Sequence, residues 1–146
     1  MEIKCKGFII RHPRMSDLKC LHKSINDPLI GKNMWAINYP VSKSWAKKYL
    51  AKCIKENNRK DITQEKFIID IDGKCAGIIF LKYIEKGHKA GIGYWLGKDH
   101  RGKGIMTIAL NKMTQYWFKK YDLKRIYAFV ATFNKSSAKL LELKAI

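Results

Sequence analysis

The residues best placed to do chemistry stand together at 97–104, Gly-Lys-Asp-His-Arg-Gly-Lys-Gly. Two glycines flank a lysine, Gly102-Lys103-Gly104, with Arg101 just before them, and an apolar periodic run opens at Ile105. Glycines let a backbone curl so that successive N–H groups point inward. At a helix N-terminus those groups and the helix dipole favour an anion. The segment lies within one residue of the triphosphate-binding pattern G-x-x-x-x-G-K-[ST], but Gly104 occupies the place of the hydroxyl that would hold magnesium. As a dinucleotide fingerprint it also fails, since Thr107 replaces the third glycine and Asp122 precedes the next strand instead of ending it. What these patterns share is an anion held by backbone N–H groups at a helix start, and for this segment a pyrophosphate without a required metal fits best. A plain glycine-rich helix entry exposed to water is the alternative reading.

The elements around this turn must hold it at the end of a strand. Phe8–His12 region "GFIIRH" (7–12) reads as a strand stopped by Pro13, and a helix follows from Ser16 or Asp17 with Leu18, Leu21, His22 and Ile25 on one face. The segment 30–44 reads as irregular, with Ser42 or Ser44 capping a second helix that runs to about Asn57. Then "KFIIDI" (66–71), the turn Asp72-Gly73 and "KCAGIIFL" (74–81) form a hairpin, and "AGIGYWL" (90–96) adds a third antiparallel strand. From Gly104 to about Tyr121 a helix puts Met106, Ala109, Leu110, Met113 and Trp117 on one face. "RIYAFV" (125–130) reads as a strand parallel to 90–96, because a helix-length crossover joins them, and 134–144 as a short helix starting at Asn134.

Composition bounds the function class. A chain of 146 residues, 47% hydrophobic, suits one domain with a real core. It shows no membrane-length apolar run and no secretion signal at its N-terminus, so a soluble cytoplasmic protein is expected. Cys5, Cys20, Cys53 and Cys75 form no C-x-x-C pair and read as buried free thiols rather than a metal or redox site. The net charge of +18 draws polyanions diffusely. Yet the 25 lysines outnumber the 5 arginines and do not concentrate in one block, so specific nucleic-acid recognition is not expected.

The string Arg101-Gly-Lys-Gly-Ile-Met106, preceded by "IGYWL" and followed thirty residues later by "NKSSAKLLE", resembles the GCN5-related N-acetyltransferase (GNAT) family, and within it the ribosomal-protein N-terminal acetyltransferase group. The family's R/Q-x-x-G-x-G/A signature is met at Arg101, Gly104 and, imperfectly, Met106. The likeness runs along nearly the whole chain. It implies a mixed, mainly antiparallel α/β (α+β) sheet flanked by helices, in the order β-α-α-β-β-β-α-β-α, lacking the usual last two strands. It further implies acetyl transfer from acetyl-CoA to a primary amine, a protein N-terminus or a small molecule, with no metal. The coenzyme contacts it implies are the backbones of Tyr94, Trp95 and Leu96 along the pantetheine arm and the N–H groups of Arg101, Gly102, Lys103, Gly104, Ile105 and Met106 around the pyrophosphate. A backbone N–H near Leu96 would polarise the thioester carbonyl. Asn134 and Ser137 match the family's N-x-x-S/A helix start beside the coenzyme, and Asn134 reads equally as a simple cap. Asn33, Met34 and Trp35 resemble the acceptor-side loop.

Two departures shape the functional expectation. Relatives often read A-E-I-G-Y-W-L where this chain has Ala90-Gly91-Ile92-Gly93-Tyr94-Trp95-Leu96, so Gly91 occupies an acidic position. His100, at the turn, reads as a phosphate-side or surface residue, and no catalytic base is named. The chain also stops where two further strands are usual, which suggests truncation, or a second copy covering the apolar edge of 125–130 in a homodimer. The alternative to an active enzyme is a coenzyme-A-binding module with little or no catalysis.

Overall fold

Apolar residues spaced by two build the sheet, and the chain enters it through an additional short hairpin. The computed structural model describes residues 2–34 and 36–128. Strands β1 (Glu2–Cys5) and β2 (Phe8–Arg11) turn at Gly7, whose φ of 85° suits glycine. The sequence reading expected only one strand here. The missed strand has a legible signal, half-buried Ile3 and Cys5 alternating with exposed Glu2 and Lys4 and leading to a glycine, but it is short and half solvated.

Pro13 ends β2, and a 3-10 turn at Met15–Asp17 leads into helix α1 (Leu18–Ile25). Asp17 is buried, accepting from Arg11 at 2.7 and 3.0 Å, while Arg11 Nε donates to Asp70 at 2.6 Å. This three-residue cluster ties the helix start to two strands, and each buried charge has its partner. The segment expected to be irregular instead opens with helix α2 (Pro28–Asn33). Asp27 caps it, accepting from Leu29 N at 2.9 Å, and Pro28 stands in its first turn, where a missing N–H costs nothing. Helix α3 (Lys43–Asn57) starts as expected, Ser42 Oγ accepting from Trp45 N at 3.0 Å.

Strands β3 (Glu65–Ile71), β4 (Lys74–Glu85) and β5 (Lys89–Leu96) form the expected meander, followed by helix α4 (Ile105–Lys120) and strand β6 (Arg125–Tyr127). Asp72 and Gly73 turn the β3–β4 hairpin with φ of 54° and 82°, the two positive values a tight primed turn needs. The strands lie in chain order, β1 to β6. Every pair is antiparallel except β5–β6, which is parallel and registers Lys89–Gly91 against Arg125–Tyr127. The expected helix at 134–144, with Asn134 and Ser137, lies outside the described residues. So do 129 and 130, the end of the strand on which the expectation of a covering second copy rests.

The sheet separates two cores. Against α4 lie Phe67, Ile69, Ile79, Leu81, Ile92 and Leu96, facing Met106, Leu110, Met113 and Trp117. Against α1–α3 lie Ile68, Ile78, Phe80 and Trp95, facing Leu21, Ile25, Ala46 and Leu50. On α3 it is Ala46, Leu50 and Cys53 that are buried, with Trp45 and Tyr49 half-buried and stacked at 5.0 Å. Among the described residues the four cysteines are free, Cys53 and Cys75 being buried, and burial pushes both thiols up.

Candidate coenzyme site at the end of β5

A β-bulge prepares the strand end that carries the site. Register passes from Ile69 opposite Gly77 to Asp70 opposite Cys75, leaving Ala76 as the extra residue. Its carbonyl accepts from Gly97 N at 2.7 Å, just past the end of β5. Gly77 is required beside it, because a Cβ there would run into the Trp95 carbonyl and Leu96. On the other side of the same peptide unit, the Leu96 carbonyl accepts from Arg101 Nε at 2.9 Å. The Leu96–Gly97 peptide is thus pinned from both directions, which fixes where the strand stops and the turn begins.

The turn itself is open. After a 3-10 turn at Lys98–His100, Gly102 and Gly104 take φ of 76° and 77°. Among the described residues, a Cβ on either would meet nothing within 4 Å, so these backbones are open to a ligand on that side. Gly104 is the N-cap of the 16-residue α4 and provides no side-chain acceptor, leaving first-turn N–H groups without a cap. Lys103 is exposed beside them. The arrangement fits a pyrophosphate: uncapped N–H donors, a positive dipole end, an open approach and a cation.

The structure brings most of the sequence-named residues to this one end of the sheet. Tyr94 is half-buried and Leu96 buried against the α4 core, while Trp95 points into the opposite core. Ile105 is half-buried and Met106 buried, anchoring the first turn of α4. Arg101 has a second role: its guanidinium donates to Asp27 Oδ2 at 2.8 Å, so its charge is directed to the junction of α1 and α2. His100 N donates to Gly97 O at 3.0 Å, a contact that shapes the turn. Asn134 and Ser137 lie outside the described residues.

Gly91 marks the other departure. A Cβ there would come within 3.2 Å of the Tyr127 ring, so an aromatic side chain occupies the neighbourhood of the position at which an acid was expected. Asn33, in the segment expected on the acceptor side, has an enclosed Oδ1 without a hydrogen-bond partner among the described residues. Among those residues no three His, Cys, Asp or Glu side chains cluster to hold a metal ion, and no helix is long and apolar enough to cross a membrane.

Sequence reasoning missed Asp27, although Asp before Pro-Leu-Ile is a cap signal. It also missed Glu65, buried at 2% exposure, which accepts from Trp117 Nε1 at 2.9 Å, Lys120 Nζ at 2.6 Å and Tyr121 OH at 3.1 Å. Nothing local marks that residue, because its partners come from the far end of α4 and just beyond it.

Comparison with known proteins agrees with this geometry. The family model for the acetyltransferase (GNAT) domain matches residues 8–143. The chain is 39% identical over 67 residues to the putative ribosomal N-acetyltransferase YdaF of Bacillus subtilis, a stretch covering 45% of this chain and 37% of that protein. It is 35% identical over 60 residues to the ribosomal-protein-serine acetyltransferase of Escherichia coli, covering 40% and 34%. These curated relatives are therefore matched over well under half of their length. Among solved structures, RimL, a ribosomal-protein alpha-N-acetyltransferase in complex with coenzyme A, superposes with a TM-score of 0.86 over 98% of this chain and 82% of that one at 21% identity. A probable acetyltransferase gives 0.84 at 26% identity, over 99% and 82%. The match across nearly the whole chain, to a fold whose strand, turn and helix are those found here, places this protein in the GNAT acetyltransferase family.

Proposed function

We propose that this chain is an acetyl-CoA-dependent N-acetyltransferase that modifies a primary amine, either a protein N-terminus or a small-molecule amine. The observation that carries the reading is the β5–turn–α4 unit: two left-handed glycines opening onto the uncapped N-terminus of a 16-residue helix, directly after a strand pinned on both faces of its last peptide. Backbone N–H groups of Arg101 to Met106 hold the pyrophosphate, and the β5 backbone at Tyr94, Trp95 and Leu96 aligns the pantetheine arm. The coenzyme supplies an activated acetyl thioester. The chain supplies position: an N–H near Leu96 directed at the thioester carbonyl, and an acceptor side formed by the segment that carries Asn33 and Met34. The attacking amine must first lose its proton, so the rate rises with pH as the acceptor deprotonates.

Relatives support both acceptor classes. One is named as a ribosomal-protein-serine acetyltransferase, and one structural neighbour is a spermidine N-acetyltransferase from Vibrio cholerae. A second reading, a coenzyme-A-binding module with little catalysis, is favoured by one observation, the Tyr127 ring against Gly91 at the position where the family resemblance implies an acid.

Two measurements test this. Calorimetry with coenzyme A should show binding that EDTA leaves unchanged; no binding by the wild-type chain defeats both readings. Thiol release from acetyl-CoA, assayed over N-terminal peptides and polyamines, should rise above background with at least one acceptor. Tight coenzyme binding without acceptor-dependent release across the panel favours the binding module.

A further inference from the structure

Folding brings seven of the 25 lysines onto two neighbouring helices, with no exposed carboxylate on either. Helix α3 exposes Lys43, Lys47, Lys48, Lys52 and Lys55, about three for every two turns over about 18 Å of axis. Helix α1 packs beside it on the same face of the sheet and exposes Lys19 and Lys23. The acids of the described chain are segregated in the opposite sense. Asp17, Asp27, Glu65 and Asp70 are buried, and the exposed ones, Glu2, Asp61, Asp72, Glu85, Asp99 and Asp122, all sit in or beside strands, turns and loops outside α1–α3. On α3 the one acid, Glu56, has a carboxyl 13% exposed and lies 3.8 Å from Lys52. Helix α4 is different: its outer face mixes Lys112 and Lys119 with exposed Ile108 and Phe118, and Lys120 is tied to Glu65.

We propose that the outer face of α1 and α3 is a docking surface for the phosphate backbone of a nucleic acid, bound without regard to base sequence. Charge complementarity selects this occupant. A row of lysines with no exposed carboxylate between them neutralises successive phosphates and releases their counterions. Protein interfaces are depleted in lysine and anchored by aromatic residues or arginine, and none of the exposed residues of α1 or α3 is aromatic or Arg. A membrane-surface helix would bury an outward apolar stripe, whereas the apolar side of α3 is already spent on the sheet. Lysine without arginine also means no bidentate base reading, hence the sequence tolerance. The proposal is independent of acetyl transfer.

The test uses the full chain without coenzyme and two fluorescent duplexes of arbitrary sequence, one RNA and one DNA, with phosphatidylserine vesicles as a third arm. Two variants remove equal charge, K47Q/K48Q/K55Q on the face and K74Q/K86Q/K112Q away from it; glutamine keeps the helix propensity of lysine. The wild type should bind duplex with a slope of log K against log salt near −6, for about seven phosphates. The face variant should bind at least about tenfold more weakly, with a slope shallower by about 3, while the control changes affinity less than about threefold. K19Q/K23Q on α1 should act in the same direction as the face variant. The RNA and DNA arms identify which backbone is preferred. Equal losses in face and control variants would reduce the effect to net charge and overturn the proposal. So would binding to vesicles but to neither duplex.

Discussion

Arg101 and Asp27, 74 residues apart in sequence, are joined by a 2.8 Å ion pair, and each has a second task at the same place. Arg101 holds the Leu96 carbonyl, the last of β5, and Asp27 caps α2 through Leu29 N. One link therefore fixes the β5–α4 turn to the start of α2. Substitution D27N keeps an oxygen for the cap but loses the charge that holds Arg101. We expect a loss of about 1.5 kcal/mol in stability for D27N and for R101Q, with the double variant little worse than either. Coenzyme A affinity should fall with stability in both. Additive losses in urea denaturation would contradict a shared link.

Gly104 tests the anion turn. Its φ of 77° is costly for any side chain, and a Cβ there projects into open space over the uncapped helix end. Valine at this position should weaken coenzyme A binding by more than tenfold, about 1.4 kcal/mol. Gly87 has φ of 79° and equally open surroundings far from the turn, so G87V is the control for strain alone. It should lower thermal stability while leaving calorimetric affinity unchanged.

The Glu65 cluster contributes to the pH dependence of stability at both ends. Tyr121 is pushed up to about 12, first by burial and then by the Glu65 carboxylate. Burial alone would lower Lys120, but its bond to Glu65 outweighs this and raises it. Both groups bind protons more tightly folded than unfolded, so the stability they contribute is present below pH about 10 and is lost as pH rises beyond it. His12, lowered by burial despite Glu65 nearby, acts oppositely: stability present above about pH 6.5 falls as the pH drops. Denaturation midpoints should form a plateau between these limits, and Y121F should make the alkaline limb shallower. E65A, which strands three donors, should cost about 3–5 kcal/mol.

Gly93 lies beneath the Phe80 ring, and a Cβ there would collide with it. Lys66 and Lys82 sit over the same ring at 5.5 and 5.3 Å. G93A should therefore destabilise the chain by about 1–3 kcal/mol by overpacking, and F80L in the same chain should restore part of the loss. Equal destabilisation with and without F80L, read from urea midpoints, would place the strain elsewhere.

The local sequence determined most of the elements and the turn between β5 and α4. Period-two runs, the Asp72-Gly73 hairpin, the Ser42 cap and Gly102-Lys103-Gly104 each act over a few residues, and all appear in the fold. Helix α2 and strand β1 were harder to read, being only 6 and 4 residues long and too short for a period to emerge. Tertiary structure alone decided what the charges do. Arg101, read as phosphate-side charge, turns toward Asp27 because folding brings the α1–α2 junction beside the end of β5. Glu65 becomes a buried acceptor because α4 returns across the start of β3. Seven of the lysines, read as dispersed along the chain, share one side because α1 and α3 bury their apolar sides on the same side of the sheet while the exposed acids fall in and beside the strands, turns and loops. Side-chain type and spacing act through neighbours within a helical turn or a hairpin; the partner of a charge is set by burial over the whole chain, which no local pattern encodes.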